Sequence, residues 1–150
     1  MDEKKIKQLI SEAYQAQKNA YTPYSHWQVG AALLTKNGTV YQGCNIENAA
    51  FSPTNCAERT AFFKAVSEGE REFQAIAIVG NAEGQKAGEG DYCAPCGVCR
   101  QVMMEFCNPQ KFQIILAKNL EEYQIVTLEE LLPMGFSLDS CLPDKGEICK

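Results

Sequence analysis

Cys56 and Glu58 stand two residues apart, and further along the chain come Pro95, Cys96 and Cys99. Three thiols at these spacings can converge on one metal ion, and the thiolate is a ligand that Zn²⁺ favours. Three protein sulfurs leave the fourth corner of a tetrahedral zinc open, which is what distinguishes a catalytic zinc from a closed structural one. An open zinc lowers the pKa of its water to roughly 7. Glu58 is placed to accept the released proton and pass it on. Three thiolates also leave Zn²⁺ with a net negative charge. Arg59, next to Glu58, offers a guanidinium that can donate to sulfur and offset it, although an arginine here is also compatible with a plain surface position.

The alternative for the same cysteines is a closed four-sulfur zinc site with Cys93 as the fourth ligand, in which Glu58 would be an ordinary acidic residue at a helix start. Closed sites usually carry Cys-x₂-Cys twice, whereas Cys56 stands alone. The pattern Cys-x-Glu followed by Pro-Cys-x-x-Cys is that of zinc-dependent deaminases, where the first ligand is His or Cys and the Glu is not a ligand. The single histidine, His26, either meets a substrate or faces water, and this chemistry does not require it.

Several elements must position these residues. Ile6, Leu9, Ile10, Ala13 and Tyr14 recur at helical spacing and predict a helix over Ile6–Ala20. Trp27–Leu34 and Thr39–Asn45 read as antiparallel strands joined by a two-residue Asn37-Gly38 turn. A helix is expected over Asn55–Ser67, a buried strand over Phe73–Val79 and a Gly-rich loop over residues 80–94. A helix over Gly97–Phe106 and a strand over Phe112–Ala117 follow. Cys56 thus opens one helix, and Cys96 and Cys99 open another. Helix N-termini carry partial positive charge that favours thiolates. Strand–helix–strand alternation predicts a mainly parallel section of sheet. The strand Tyr123–Val126 follows too short a gap for a crossover and should run antiparallel, before a short helix capped by Thr127. The expected fold is α/β, a three-layer α/β/α sandwich around a five-stranded mixed sheet. One catalytic domain would span 1–136 and a tail 137–150. Asn45 and Glu47 alternate at a strand end, where they either grip paired hydroxyls such as a ribose or face water.

The 150 residues suffice for one domain with a core, and 45 % hydrophobic and 22 % charged residues are ordinary globular values. Net charge is −5, and no Lys/Arg cluster is present. This argues against a nucleic-acid partner and for a small molecule. No membrane-spanning run and no secretory leader are read, so a cytoplasmic location is expected. Eight cysteines without such a leader favour metal over disulfides. Cys44 and Cys107 lie in apolar segments and read as small core residues.

Beyond these physical arguments, the chain resembles the cytidine deaminases of the small homotetrameric, three-cysteine type. The matching text is Tyr24-Ser25 through Val29-Gly30-Ala31-Ala32-Leu33, Gly43 to Ala50, Cys56 to Ala61, and Pro95 to Gln101. The resemblance implies one Zn²⁺ per subunit held by Cys56, Cys96 and Cys99, with Glu58 as proton carrier and Arg59 neutralising the thiolates. It implies that Asn45 and Glu47 hold the ribose hydroxyls and that the Ala57 backbone meets the pyrimidine. Trp27 stands where the family commonly stacks a Phe on the base. Phe136 resembles an aromatic that completes a neighbouring subunit's pocket, and Phe51 stands where the family often has Tyr. The implied reaction is hydrolysis of cytidine and 2′-deoxycytidine to uridine and 2′-deoxyuridine, with release of ammonia. A deaminase of another aminopyrimidine nucleoside would share the fold and zinc site, and a non-catalytic zinc-stabilised domain is the rival of a different class.

Overall fold

The computed structural model of the chain describes residues 1–137. The expected tail, from 138 onward, lies outside the described residues. In chain order the elements are α1 (Glu3–Gln17), β1 (Trp27–Thr35), β2 (Val40–Cys44), α2 (Ala57–Ser67), β3 (Phe73–Ala82), α3 (Gly97–Phe106), β4 (Gln113–Ala117), β5 (Tyr123–Thr127) and α4 (Leu128–Leu131). The five strands form one mixed sheet in the order β2-β1-β3-β4-β5. Side chains alternate across the pleat. Ala32, Leu34, Ala75, Ala77, Val79, Ile115 and Ala117 bury one face against α1. Ala31, Leu33, Ile76, Ile78, Ile114 and Leu116 bury the other against α2, α3 and α4. The expected three layers and five strands are therefore present.

The parallel section is smaller than the alternation of elements suggested. Of the five strands, only β3 and β4 pair in parallel. β1 pairs antiparallel with both β2 and β3. Thus β2 and β3 do run the same way and are linked through α2, but β1 lies between them. A crossover fixes the direction of its two strands, not their adjacency.

Local chemistry sets the boundaries. α1 starts three residues earlier than its apolar period because Asp2 Oδ1 accepts from Lys5 N at 2.8 Å and caps it. The turn between β1 and β2, closed from Thr35 to Thr39, encloses three residues rather than two. Thr35 N donates to Thr39 O, while Asn37 Oδ1 accepts from Thr39 N and from Thr35 Oγ1. Gly38 takes the left-handed φ of +96° that this longer turn needs. At the far end, Thr127 and Glu130 form the reciprocal cap that starts α4.

Two features hold α2 in place. Phe62 is fully buried and packs on Phe73, Phe106 and Phe112 with ring centroids 5.0, 6.2 and 6.1 Å away. A phenylalanine so placed is worth about 3–5 kcal/mol against alanine. At the other end of the helix, a β-carbon at Gly43 would lie 2.3 Å from Ala57 O and 2.5 Å from Ala61 N. Only glycine lets β2 come so close beneath the first turn of α2, the turn that carries Glu58.

Candidate active site

Both helices on the α2–α3 face begin with a cysteine. Cys56 is the N-cap of α2 and Cys96 the N-cap of α3, each with extended backbone, and Cys99 lies in the first turn of α3. Cys96 Sγ accepts from Cys99 N at 3.5 Å, so the sulfur itself satisfies a free amide of the helix start. Arg100 braces the approach to α3. Its Nε donates to Pro95 O at 2.8 Å and its Nη1 to Leu131 O at 2.6 Å. Thr60 Oγ1 donates to Cys56 O and accepts from Asn55 Nδ2, which fixes the entry to α2.

The three sulfurs meet. Cys56 Sγ lies 3.8 Å from Cys96 Sγ, and Cys96 Sγ lies 3.5 Å from Cys99 Sγ. All three are within 4.8 Å of one another and form a group able to hold a metal ion. Tetrahedral zinc with bonds of about 2.3 Å separates its sulfurs by about 3.8 Å, so the cluster fits that ion as it stands. Cys93 is not part of the group. It lies instead beside Gly80 and Trp27, so Cys93 does not supply the fourth sulfur of a closed site.

Electrostatics favour a thiolate at Cys56. A hydrogen bond from the Cys99 thiol, with further help from Arg59 and Cys96, holds it down at about 5. Arg59 Nη2 donates to Cys56 Sγ at 3.3 Å. The Arg59 Nε is buried without a hydrogen-bond partner among the described residues. Cys99 is shifted the opposite way, because it is the donor to Cys56 and is buried.

Glu58 is 4 % exposed. Burial raises its carboxyl to about 7, and the neighbouring Cys56 charge adds to the rise. Its own backbone N–H, the Arg59 charge and the Cys99 thiol pull the other way. A carboxyl that titrates near neutrality can both take and give a proton there. Sulfur for the metal and one dry carboxyl for the proton is the division of labour of a zinc-dependent deaminase, not of a structural zinc knot.

Comparison with known proteins agrees. The family model for the cytidine and deoxycytidylate deaminase zinc-binding region matches residues 3–115. A cytidine deaminase of Sporosarcina psychrophila is 50 % identical over 132 residues, 88 % of this chain and 91 % of that one. One from Halalkalibacterium halodurans is 50 % identical over 131 residues, 87 % and 93 % of the two chains. The crystal structure of cytidine deaminase from Burkholderia pseudomallei superposes with a TM-score of 0.75 at 45 % identity, covering 86 % of this chain and 97 % of that one. The chain belongs to the cytidine deaminase family, and it is a zinc-binding, hydrolytic enzyme.

The remaining residues singled out in the sequence fall as follows. Trp27 opens β1 on the α2–α3 face and is 40 % exposed. Asn45 lies just beyond β2 rather than within it. Its Oδ1 accepts from Val29 N at 2.9 Å and its Nδ2 donates to Trp27 O at 2.8 Å, so the side-chain amide takes the place of a strand neighbour for β1. Glu47 Oε2 accepts from Tyr24 N at 2.9 Å and Ser25 N at 3.2 Å. The Ser25 side chain and these amides hold the carboxyl below its usual range. Asn45 and Glu47 thus grip one segment, residues 24–29. Ala57 is fully buried at the start of α2. Phe136 has an exposed ring, and its carbonyl accepts from Gln101 Nε2 at 2.9 Å. Phe51 is exposed at φ +60° and meets Tyr24 edge-on at 5.7 Å. Cys107 is a core residue as expected, but Cys44 is half-buried and donates to Asn19 O. Sequence reasoning missed Gly43, Arg100 as the brace of α3, and the placement of Cys93.

Proposed function

We propose that this enzyme converts cytidine and 2′-deoxycytidine to uridine and 2′-deoxyuridine with release of ammonia. The observation that carries the proposal is the buried Glu58, held at about 7 by burial, two residues from Cys56 and beside a three-sulfur cluster that has no fourth protein ligand among the described residues. Cys56, Cys96 and Cys99 hold the zinc, which when bound supplies the Lewis acidity that makes water a nucleophile at neutral pH. Glu58 would take a proton from the attacking water and deliver it to N3 of the pyrimidine as the oxygen bonds to C4. It would then move the proton of the new C4 hydroxyl to the amino group, so that C4=O forms, the C4–N bond breaks and ammonia leaves. Burial keeps Glu58 away from bulk water, so the proton it holds goes to the substrate. Arg59 offsets the charge of the sulfurs through Cys56. The Ala57 backbone meets the base, Trp27 forms its aromatic wall, and Asn45 and Glu47, anchored on residues 24–29, receive the ribose hydroxyls.

The assembly we propose is a cytoplasmic homotetramer with shared pockets, in which Phe136 of one subunit closes the pocket of another. The exposed Phe136 ring and the exposed Phe51–Tyr24 pair support this arrangement. The test is ammonia release and loss of cytosine absorbance with cytidine, for the native chain and Glu58→Ala, with zinc quantified in both. The native protein turns over, and the variant keeps its zinc but is inactive. A native protein that holds zinc yet leaves cytidine untouched overturns the assignment.

A further inference from the structure

The chain has a single tryptophan, and two neighbours outside the zinc cluster bear on its ring. Trp27 and Gly80 lie on the same face of adjacent strands, since Val29 pairs with Gly80 and Trp27 with Ala82. A β-carbon at Gly80 would lie 2.7 Å from Cys93 Sγ, 2.8 Å from Cys93 Cβ and 3.4 Å from Trp27 Nε1. The thiol and the indole nitrogen therefore converge over the bare side of Gly80. Any larger residue at 80 must push one of them away. The Cys93 thiol and the Trp27 indole are thus neighbours across Gly80. Cys93 is free of any disulfide and stands outside the metal group. Burial pushes its thiol up to about 11, so at neutral pH it remains an uncharged thiol beside the ring.

We propose that Cys93 and Gly80 form a socket that fixes the Trp27 indole at the edge of the active site and so sets the KM for the nucleoside. Cys93 is a positioning residue that acts through Trp27. The proposal rests on the assignment of Trp27 as the aromatic wall for the base. A ring that is 40 % exposed and unanchored must be ordered when substrate binds, and that ordering weakens binding. A ring already held by the thiol on one side, over a strand that has made room for it, binds without that loss.

Because Trp27 is the only tryptophan, its fluorescence reports on this ring alone. The experiment compares zinc-loaded full-length enzyme with Cys93→Ala, Cys93→Ser and Gly80→Ala, reading zinc content, kcat and KM for cytidine, and the anisotropy decay of Trp27. In Cys93→Ala, zinc is retained, KM rises about three- to tenfold with a much smaller change in kcat, and the fast component of the anisotropy decay grows. In Cys93→Ser a side chain of similar size refills the space beside the ring, and both readouts return toward wild type. Gly80→Ala raises KM and shifts the emission. If that variant fails to fold, the alanine and serine pair at 93 decides the matter. Unchanged anisotropy and KM in Cys93→Ala overturn the socket, as does equal behaviour of the alanine and serine variants. Trp27→Ala separates the two layers of the argument. If it leaves KM unchanged, the assignment of Trp27 as the wall fails. If it raises KM while Cys93→Ala changes nothing, the socket alone fails.

Discussion

Replacing Glu58 by glutamine should make the metal-free protein more stable, by an amount that depends on pH. The carboxyl sits near 4.5 in an unfolded chain and at about 7 in the folded one, chiefly because it is buried. Below pH 4.5 it is protonated in both states and has no effect on their balance. Between 4.5 and 7 the unfolded chain releases the proton while the folded chain keeps it, so stability falls as pH rises. Above 7 the whole difference has been lost. At about 1.4 kcal/mol for each pH unit, the span from 4.5 to about 7 amounts to roughly 3 kcal/mol. Glutamine has similar shape and no charge, so it escapes this loss. The thiolate at Cys56 is present in both proteins and largely cancels in the comparison. The assay is urea unfolding of the reduced, metal-free wild type and Glu58→Gln from pH 4.5 to 8. The curves should nearly coincide at pH 4.5 and separate by roughly 1–2 M urea at pH 8, with the variant the more stable. A separation that does not change with pH, or a variant less stable at pH 8, refutes the reasoning. The zinc-loaded variant should meanwhile lose turnover by about 10²–10⁴-fold or more, so that one side chain trades stability against catalysis.

Two further outcomes follow from the geometry around α2. Arg59→Ala removes the donor 3.3 Å from Cys56 Sγ and should weaken zinc affinity or activity about 10–100-fold, measured by competition with a chromophoric chelator and by turnover; a variant with unaltered affinity and rate contradicts the role given to Arg59. Gly43→Ala places a β-carbon 2.3 Å from Ala57 O and should lower stability by about 1–3 kcal/mol while reducing zinc retention, because it displaces the turn that carries Glu58. Thermal unfolding and zinc content at matched protein concentration check this, and a fully stable, fully loaded variant would show that β2 and α2 are not held so closely.

The metal cluster was legible because its information is local: Cys-x-Glu and Cys-x-x-Cys place side chains within one helical turn, and a helix start supplies the same environment wherever it occurs. The layers were legible for a similar reason, since the unbroken apolar runs Ala31–Leu34 and Ala75–Val79 mark strands buried on both faces. The insertion of β1 between β2 and β3 was not, because nothing in a strand's own pattern names its neighbours. Asn45 was read as part of a strand when its side-chain amide in fact stands in for one, a substitution invisible in a polar letter at a strand end. The Asn37-Gly38 turn gained a residue through a side-chain oxygen closing on Thr39 N. Gly43 and Gly80 matter for what lies above them, and Cys93 for which way its thiol turns. Each of these depends on packing between elements distant in sequence.

The position of β1 also bears on the order in which the molecule comes together. The β1–β2 hairpin closes within residues 27–44. β3 cannot dock beside the strand it follows. It must reach past α2 to the open edge of β1, in a pairing that extends from Trp27 to Ala82. Such distant contacts form late, because the loop entropy is lost before the sheet repays it. Only after β3 is seated does the chain turn into α3 and bring Cys96 and Cys99 opposite a cysteine 40 residues earlier. Completion of the three-sulfur site thus depends on the same long-range packing that seats β3, because Cys56 precedes that strand in the chain and Cys96 and Cys99 follow it.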